Sequence, residues 1–304
     1  MTKAKRRITK SSKIHKLRTI YSAKNQETLP GTMVRNEGDP VTGDLAADEA
    51  YDYSGNTYDF FWNVYRRNSI DDHGMPLISI VHYGKSFNNA FWNGKQLIFG
   101  DGDGRIFNRF TCGVDIIAKE LAKGVVQTET KLAFLEQSGA LIESISDVFG
   151  SLVKQYVLKQ TAAKADWILG KGLFTKKIKG VGLRSMKAPG TAYYDDPMLG
   201  KDPQREHMKN LYKGSADYGG VHINSGIPNH AFYLIAIALG GFAWEKAGRI
   251  WYEAIKDRSL KPNSRFRDFA RITVSKTREV YGYKSEEAKV VRYGWESVGL
   301  KLTR

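Results

Sequence analysis

From residue 114 onward the apolar positions recur with helical spacing. Val114 to Val126 forms a compact helical pattern closed near Gly124. In Ser138–Gln160, the side chains of Leu141, Ile145, Val148, Phe149, Leu152, Val153 and Tyr156 fall on one stripe, as an amphipathic helix requires. Asn229–Ile255 is apolar almost all round and reads as one buried helix, or two broken at Gly240-Gly241. Asn263–Tyr281 and Ser285–Val298 read as further amphipathic helices, the second with Glu286 and Glu287 where the helix dipole favours acids. Residues 19–112 differ, being rich in Gly, Asn, Asp and aromatics. Ile78–Tyr83 and Gln96–Phe99 read as strands between turn residues, and Tyr51–Arg67 as a helix whose first turn Gly55 weakens. The pattern predicts an α+β chain: a basic, disordered tail over 1–18, a β-rich N-terminal domain over 19–113, and a mainly helical C-terminal domain over 114–304. The helix starting near 114 stands at the junction, where clefts form.

Composition adds limits. With 304 residues, 41% of them hydrophobic and 26% charged, the chain can bury a sizeable core without staples. The single cysteine, Cys112, excludes an intramolecular disulfide framework and reads as buried filler. The longest apolar run, Ala231–Trp244, is too short to span a bilayer, so no transmembrane segment is expected. No apolar block follows the basic start, so no Sec-type signal peptide is expected, and the expected location is cytoplasmic or reached by a route without a cleaved signal. Of the net charge of +15, residues 1–18 carry +8 through Lys3, Lys5, Arg6, Arg7, Lys10, Lys13, Lys16 and Arg18. Such an arm is a solvated tail or a handle for an anionic partner, and it lacks the interleaved aromatics that stack on bases.

Three segments concentrate the candidate chemistry: Asp115–Lys123 with Lys119-Glu120-Leu121-Ala122-Lys123, Glu143-Ser-Ile-Ser-Asp147, and Asp217-Tyr-Gly-Gly-Val-His222. With Tyr58-Asp-Phe-Phe-Trp62, Asn88-Asn-Ala-Phe-Trp-Asn-Gly94, Gly100-Asp-Gly-Asp-Gly104 and Leu183-Arg-Ser-Met186, they make the chain resemble the thermolysin-like neutral metallopeptidases, in particular their protealysin-like branch, from about Arg18 to about Leu300. The resemblance implies a two-domain fold with the active-site cleft between a β-rich and a helical domain. That family holds zinc with an H-E-x-x-H helix and a downstream glutamate. The resemblance sets Lys119 and Lys123 at the two histidine positions, Glu120 at the general base, Glu143 at the third ligand, and Asp147 at the carboxylate that orients the first histidine. It gives Asn89 and Ala90 to the substrate backbone, Arg184 to the floor of the side-chain pocket, and Asp217 to orienting His222 at the transition state. Phe134 stands where the family has a tyrosine and Ile142 where it has an asparagine. At the calcium positions Lys154, Ile168 and Lys171 replace acids and only Asp166 stays. Asp101–Arg105 resembles the start of a calcium loop but reads as a turn, with Arg105 and Cys112 at ligand positions. The inhibitory segment of protealysin-like precursors is expected to be missing ahead of Arg18.

A zinc ligand donates a lone pair, and a protonated lysine has none. At neutral pH an ordinary lysine is overwhelmingly protonated. The expectation is therefore a catalytically inactive, thermolysin-like protein without zinc or calcium. The two ammonium groups would stand in electrostatically for the ion, pairing with Glu143, Asp147 and Glu120. Its retained cleft would bind an unidentified protein or peptide, in an interaction, structural or toxin role. Two alternatives stay open: an active zinc metalloendopeptidase with an unusual ligand set such as Glu143 and His222, and an anion-binding protein using its basic arm. His15, His73, His82, His207 and His230 show no metal-ligand spacing.

Overall fold

Asp44 sets the first helix: its carboxylate accepts the N–H groups of Ala46 and Ala47, so α1 runs Leu45–Tyr65. The helix starts before the expected Tyr51 because its first turns bury only alanines, which leave little trace in an apolar pattern. The computed structural model describes residues 16–302. Ahead of α1 lie β1 (Arg18–Ser22) and β2 (Thr32–Asn36). After it come β3 (Leu77–Val81), β4 (Ala90–Trp92) and β5 (Leu97–Phe99). The five strands form one sheet in the order β2-β1-β3-β5-β4, with β1–β3 and β3–β5 parallel and the outer pairs antiparallel. β4 is thus an edge strand. β3 stops at Val81 rather than Tyr83 because His82 takes a left-handed φ of 53°. That turn places its ring between Asp101, 2.8 Å from Nδ1, and Asp44, 2.7 Å from Nε2.

The remaining chain is helical: α2 (Val114–Glu129), α3 (Glu136–Val157), α4 (Ala216–Asn224), α5 (Gly226–Leu239), α6 (Ala247–Ile255), α7 (Phe266–Tyr281) and α8 (Glu286–Ser297), with a small hairpin of β6 (Ile168–Leu169) and β7 (Arg184–Ser185). The long apolar run divides at Gly240-Gly241, both with φ of 66°. Two hydrophobic clusters share α1 and α2. Ile116, Ile117 and Leu121 of α2 face the cluster beside the sheet, whereas Ala118, Ala122 and Val125 face the helical cluster built around Trp251, Phe269 and Trp295. α2 is therefore buried on opposite faces, and a polar side chain in its middle lies within the joint between the two halves. The mixed, two-part architecture agrees with the expected fold class.

Of the basic arm, residues 1–15 lie outside the described residues. The part that is described does not behave as a tail, which corrects its boundary at 18. Lys16 pairs with Asp59 at 2.8 Å. Arg18 opens β1, pairs with Glu37 at 2.5 Å and lies over the Tyr51 ring. Gly55 makes room for it, since a Cβ there would meet the Arg18 guanidinium at 2.4 Å. Among the described residues no helix is long and apolar enough to cross a membrane.

Candidate functional site in the cleft

Lys119 and Lys123 lie one helical turn apart on α2, on the same face, and Glu143 and Asp147 do the same on α3. Gly150 lets the two helices approach, because a Cβ there would meet the Asp115 carbonyl oxygen at 2.6 Å and the Lys119 Cβ at 3.2 Å. The Lys119 ammonium, on a residue 4% exposed, donates to Glu143 Oε2 and to Asp147 Oδ1, both at 2.6 Å. Lys123 lies 3.0 Å from Glu143 Oε1 and 3.2 Å from Glu120 Oε2. Arg184 donates to Asp147 Oδ1 at 3.2 Å, and Asn229 to Asp147 Oδ2 at 2.9 Å. Asn229 in turn accepts from Ser144 at 2.7 Å.

Burial alone would raise the Glu143 carboxyl, but Lys119 and Lys123 overcome it and hold it well below its usual range. Burial likewise lowers Lys123, and Glu120 and Glu143 more than reverse this, so its ammonium is held more firmly than a free lysine. The Arg184 guanidinium follows the same logic against Asp147 and Glu143. Glu143, Lys123 and Arg184 thus each favour the charged state.

The opposite wall comes from α4. Asp217, Tyr218, Gly219 and Gly220 all take positive φ, a left-handed turn spliced onto the helix. Glycine is needed where the turn meets Glu136, whose Cγ would lie 2.8 Å from a Cβ on Gly219. The turn brings Asp217 under the start of the helical part. There it accepts from the backbone N–H of His222 at 2.7 Å and of Ile223 at 3.2 Å, and meets His222 Nδ1 at 2.6 Å. With Nδ1 so engaged, Nε2 is left to the cleft, 3.5 Å from Glu143 Oε1. A cavity of about 70 Å³, room for a few waters, is lined by Asn89, Ala90, Lys119, Glu120, Lys123, Glu143, Arg184 and His222. Every residue assigned a site role from sequence except Asp147 and Asp217 lines this space, and those two hold residues that do. Phe134, half exposed, packs edge-on against Tyr218 and His222, and Ile142 lines the neighbouring apolar cavity of about 390 Å³ with it.

Asn229 and Ser144 escape a reading from sequence. Asn229 is fully buried at the head of a mostly apolar run, and a polar residue beside that run is the signal that could have found it. Lys154 is a similar case further along α3. Its ammonium lies 3.0 Å from Asp166 Oδ1, 2.7 Å from the Ile168 carbonyl oxygen and 3.6 Å from Asp115 Oδ2. The Asp101–Arg105 stretch is a turn, with Asp103 Oδ1 accepting three backbone N–H groups from Arg105, Ile106 and Phe107.

Both halves of the chain match models of one family. Residues 2–127 match the thermolysin metallopeptidase catalytic domain, and residues 130–300 its alpha-helical domain. The chain belongs to the thermolysin-like metallopeptidase family. It is 54% identical over 285 residues to an extracellular metalloprotease of Pectobacterium carotovorum, covering 94% of this chain and 81% of the relative. It is 53% identical over 287 residues to protease PrtS of a Photorhabdus species, covering 94% and 76%. Among solved structures, the precursor of protealysin, a metalloproteinase from Serratia proteamaculans, superposes with a TM-score of 0.92 at 56% identity, covering 94% of this chain and 88% of that one.

Two expectations are corrected by these matches. The expectation of a chain without zinc or calcium is overturned at the level of the family, which is one of metallopeptidases and whose similar members are named metalloproteases. The cytoplasmic expectation is overturned by relatives named extracellular, in Pectobacterium and in Serratia marcescens. How the individual side chains suit a metal is a separate, local matter. Glu120 Oε2 and Glu143 Oε1 are buried acceptors without a hydrogen-bond donor, and His222 Nε2 lies 3.5 Å from the second. Yet the Lys123 ammonium lies within ion-pair distance of both oxygens, and no group of three His, Cys, Asp or Glu among the described residues is arranged for a metal ion. The donor set as arranged, with two lysines at its centre, does not fit zinc.

Proposed function

We propose that the chain is a peptide-binding member of its family in which hydrolysis is silent. The observation that carries this reading is the Lys119 ammonium, 2.6 Å from two buried carboxylates on α3, with Lys123 against Glu120. If Lys119 and Lys123 stand where relatives place histidines, the carboxylate assigned as general base faces an ammonium instead of the water it would activate.

Peptide binding is supported by what surrounds that centre. β4 is an edge strand with Asn89 and Ala90 at the cleft, so an extended peptide could add to the sheet there. Arg184 and His222 line the same cavity and are pre-positioned by Asp147 and Asp217. The bound partner on this reading is a peptide or an unfolded protein segment; a contact of the 1–18 arm with an anion would be additional.

A second reading, a working metalloendopeptidase, is favoured by the names of the relatives. The test is a labelled peptide library presented to the purified chain and to Glu120→Gln. The first reading expects saturable binding of extended peptides with no cleavage by either protein. Cleavage by the parent chain that Glu120→Gln abolishes establishes the second.

A further inference from the structure

A cavity of about 740 Å³ lies behind the cleft, between the 187–191 loop and the 201–206 segment. Lys187, Lys201 and Arg205 line it, and among the described residues none of the three is ion-paired; Lys201 only approaches the Tyr194 ring, at 5.4 Å. The two acids on the same wall are already used. Asp202 accepts from the backbone N–H groups of Gly190, Ala192 and Gln204 at 3.0–3.2 Å, and Glu206 accepts from Asn210 at 2.9 Å. Two buried polar atoms have no partner: Arg205 Nε, a donor, and Gln204 Oε1, an acceptor on a residue 5% exposed. A buried donor and acceptor left unmet are costly. The cavity is also a built feature. Gly190, with φ of 86°, lets the loop close on the Gln204 carbonyl oxygen, which would lie 2.9 Å from a Cβ there. The Gln204 carboxamide is held from behind by the His222 carbonyl and Ser225 Oγ, both at 3.0 Å.

We infer that this cavity binds a small oxyanion, a phosphate- or carboxylate-bearing molecule. The anionic group answers the three cations that line it. The site is distinct from the peptide cleft, with which it shares no lining residue.

Calorimetric titration of the full chain with inorganic phosphate and, separately, with citrate tests this. One anion per chain is expected to bind, weakening as salt rises. The double change Lys187→Glu, Lys201→Glu should weaken binding at least about tenfold, as charge complementarity requires, without moving the melting temperature, because both side chains are exposed. Arg205→Gln should weaken it as well. Binding of only one of the two anions supports the site and fixes the group it prefers. No saturable binding of either, or equal affinity in the parent and the double variant, overturns the inference; the latter would assign the anion to another basic surface such as residues 1–18.

Discussion

Two buried carboxylates near α3 respond to burial in opposite directions. Glu143, in the cleft, is held well below the usual carboxylate range. Asp115, on α2 beside the Lys154 centre, is pushed up by burial, with Lys154 only partly opposing it. Both side chains are almost wholly inaccessible. The difference lies in what stands against them. Glu143 has an ammonium at 2.6 Å and another at 3.0 Å, whereas Asp115 has one at 3.6 Å that is shared with Asp166 and a carbonyl oxygen. Burial opposes the charge in both places, and contact geometry decides which way each carboxyl shifts. The cleft centre is thus a closed set of ion pairs, and the Lys154 centre a looser one open to solvent at Asp166.

The sharpest way to break this contrast is Lys119→Ala. It leaves Glu143 and Asp147 short of their shared cation, and loss of one partner of a buried pair costs about 3–5 kcal/mol. Chemical denaturation reads this directly, and a loss below about 1 kcal/mol, the scale of an exposed pair, would mean the cluster contributes little. Lys154→Ala should cost less, about 1.5–3 kcal/mol, the range for hydrogen bonds to a charged group. An equal or larger loss than at Lys119 would erase the distinction between the two centres.

Acid should narrow the gap between the parent chain and Lys119→Ala. Because the folded Glu143 carboxyl lies below its unfolded value near 4.5, its contribution is present above that pH and fades as pH falls through the folded value. Denaturation midpoints of the two proteins should therefore converge on acidification; a constant offset down through that range would argue against the pairing. The smallest effect is expected in the sheet half, at His82. Its hydrogen bond with Asp101, with Asp44 adding to it against burial, raises the ring to about 9 from 6.5. That contribution is complete below pH 6.5 and lost as pH rises through about 9. His82→Asn should flatten the corresponding decline in stability, and an unchanged decline would place its origin elsewhere.

Much of this was legible in the sequence, and the limits are physical. The helical half was readable because its stripes of large apolar residues repeat over several turns. Not every strand was: β3 and β5 stand out as apolar runs, whereas β1 and β2 mix polar and apolar positions and β6 and β7 hold only two residues each. The start of α1 was hidden by alanines. Helical spacing puts Lys119 with Lys123 and Glu143 with Asp147, but only the resemblance joined the two pairs, whose mutual distances depend on Gly150 and the approach of two helices. Asp217 could be paired with His222 only by resemblance, since nothing in the local pattern announces a left-handed turn. Asn229 escapes a reading from sequence because its partners, Ser144 and Asp147, lie more than eighty residues away along the chain.

The account turns on whether the lysine-centred cleft binds peptides without cutting them. Mass-spectrometric analysis of a peptide library after prolonged incubation with the purified chain, alongside binding of the same peptides, measures both at once. The account predicts saturable binding and intact peptides, the same for Glu120→Gln. New peptide termini that appear with the parent chain and vanish with Glu120→Gln would contradict it.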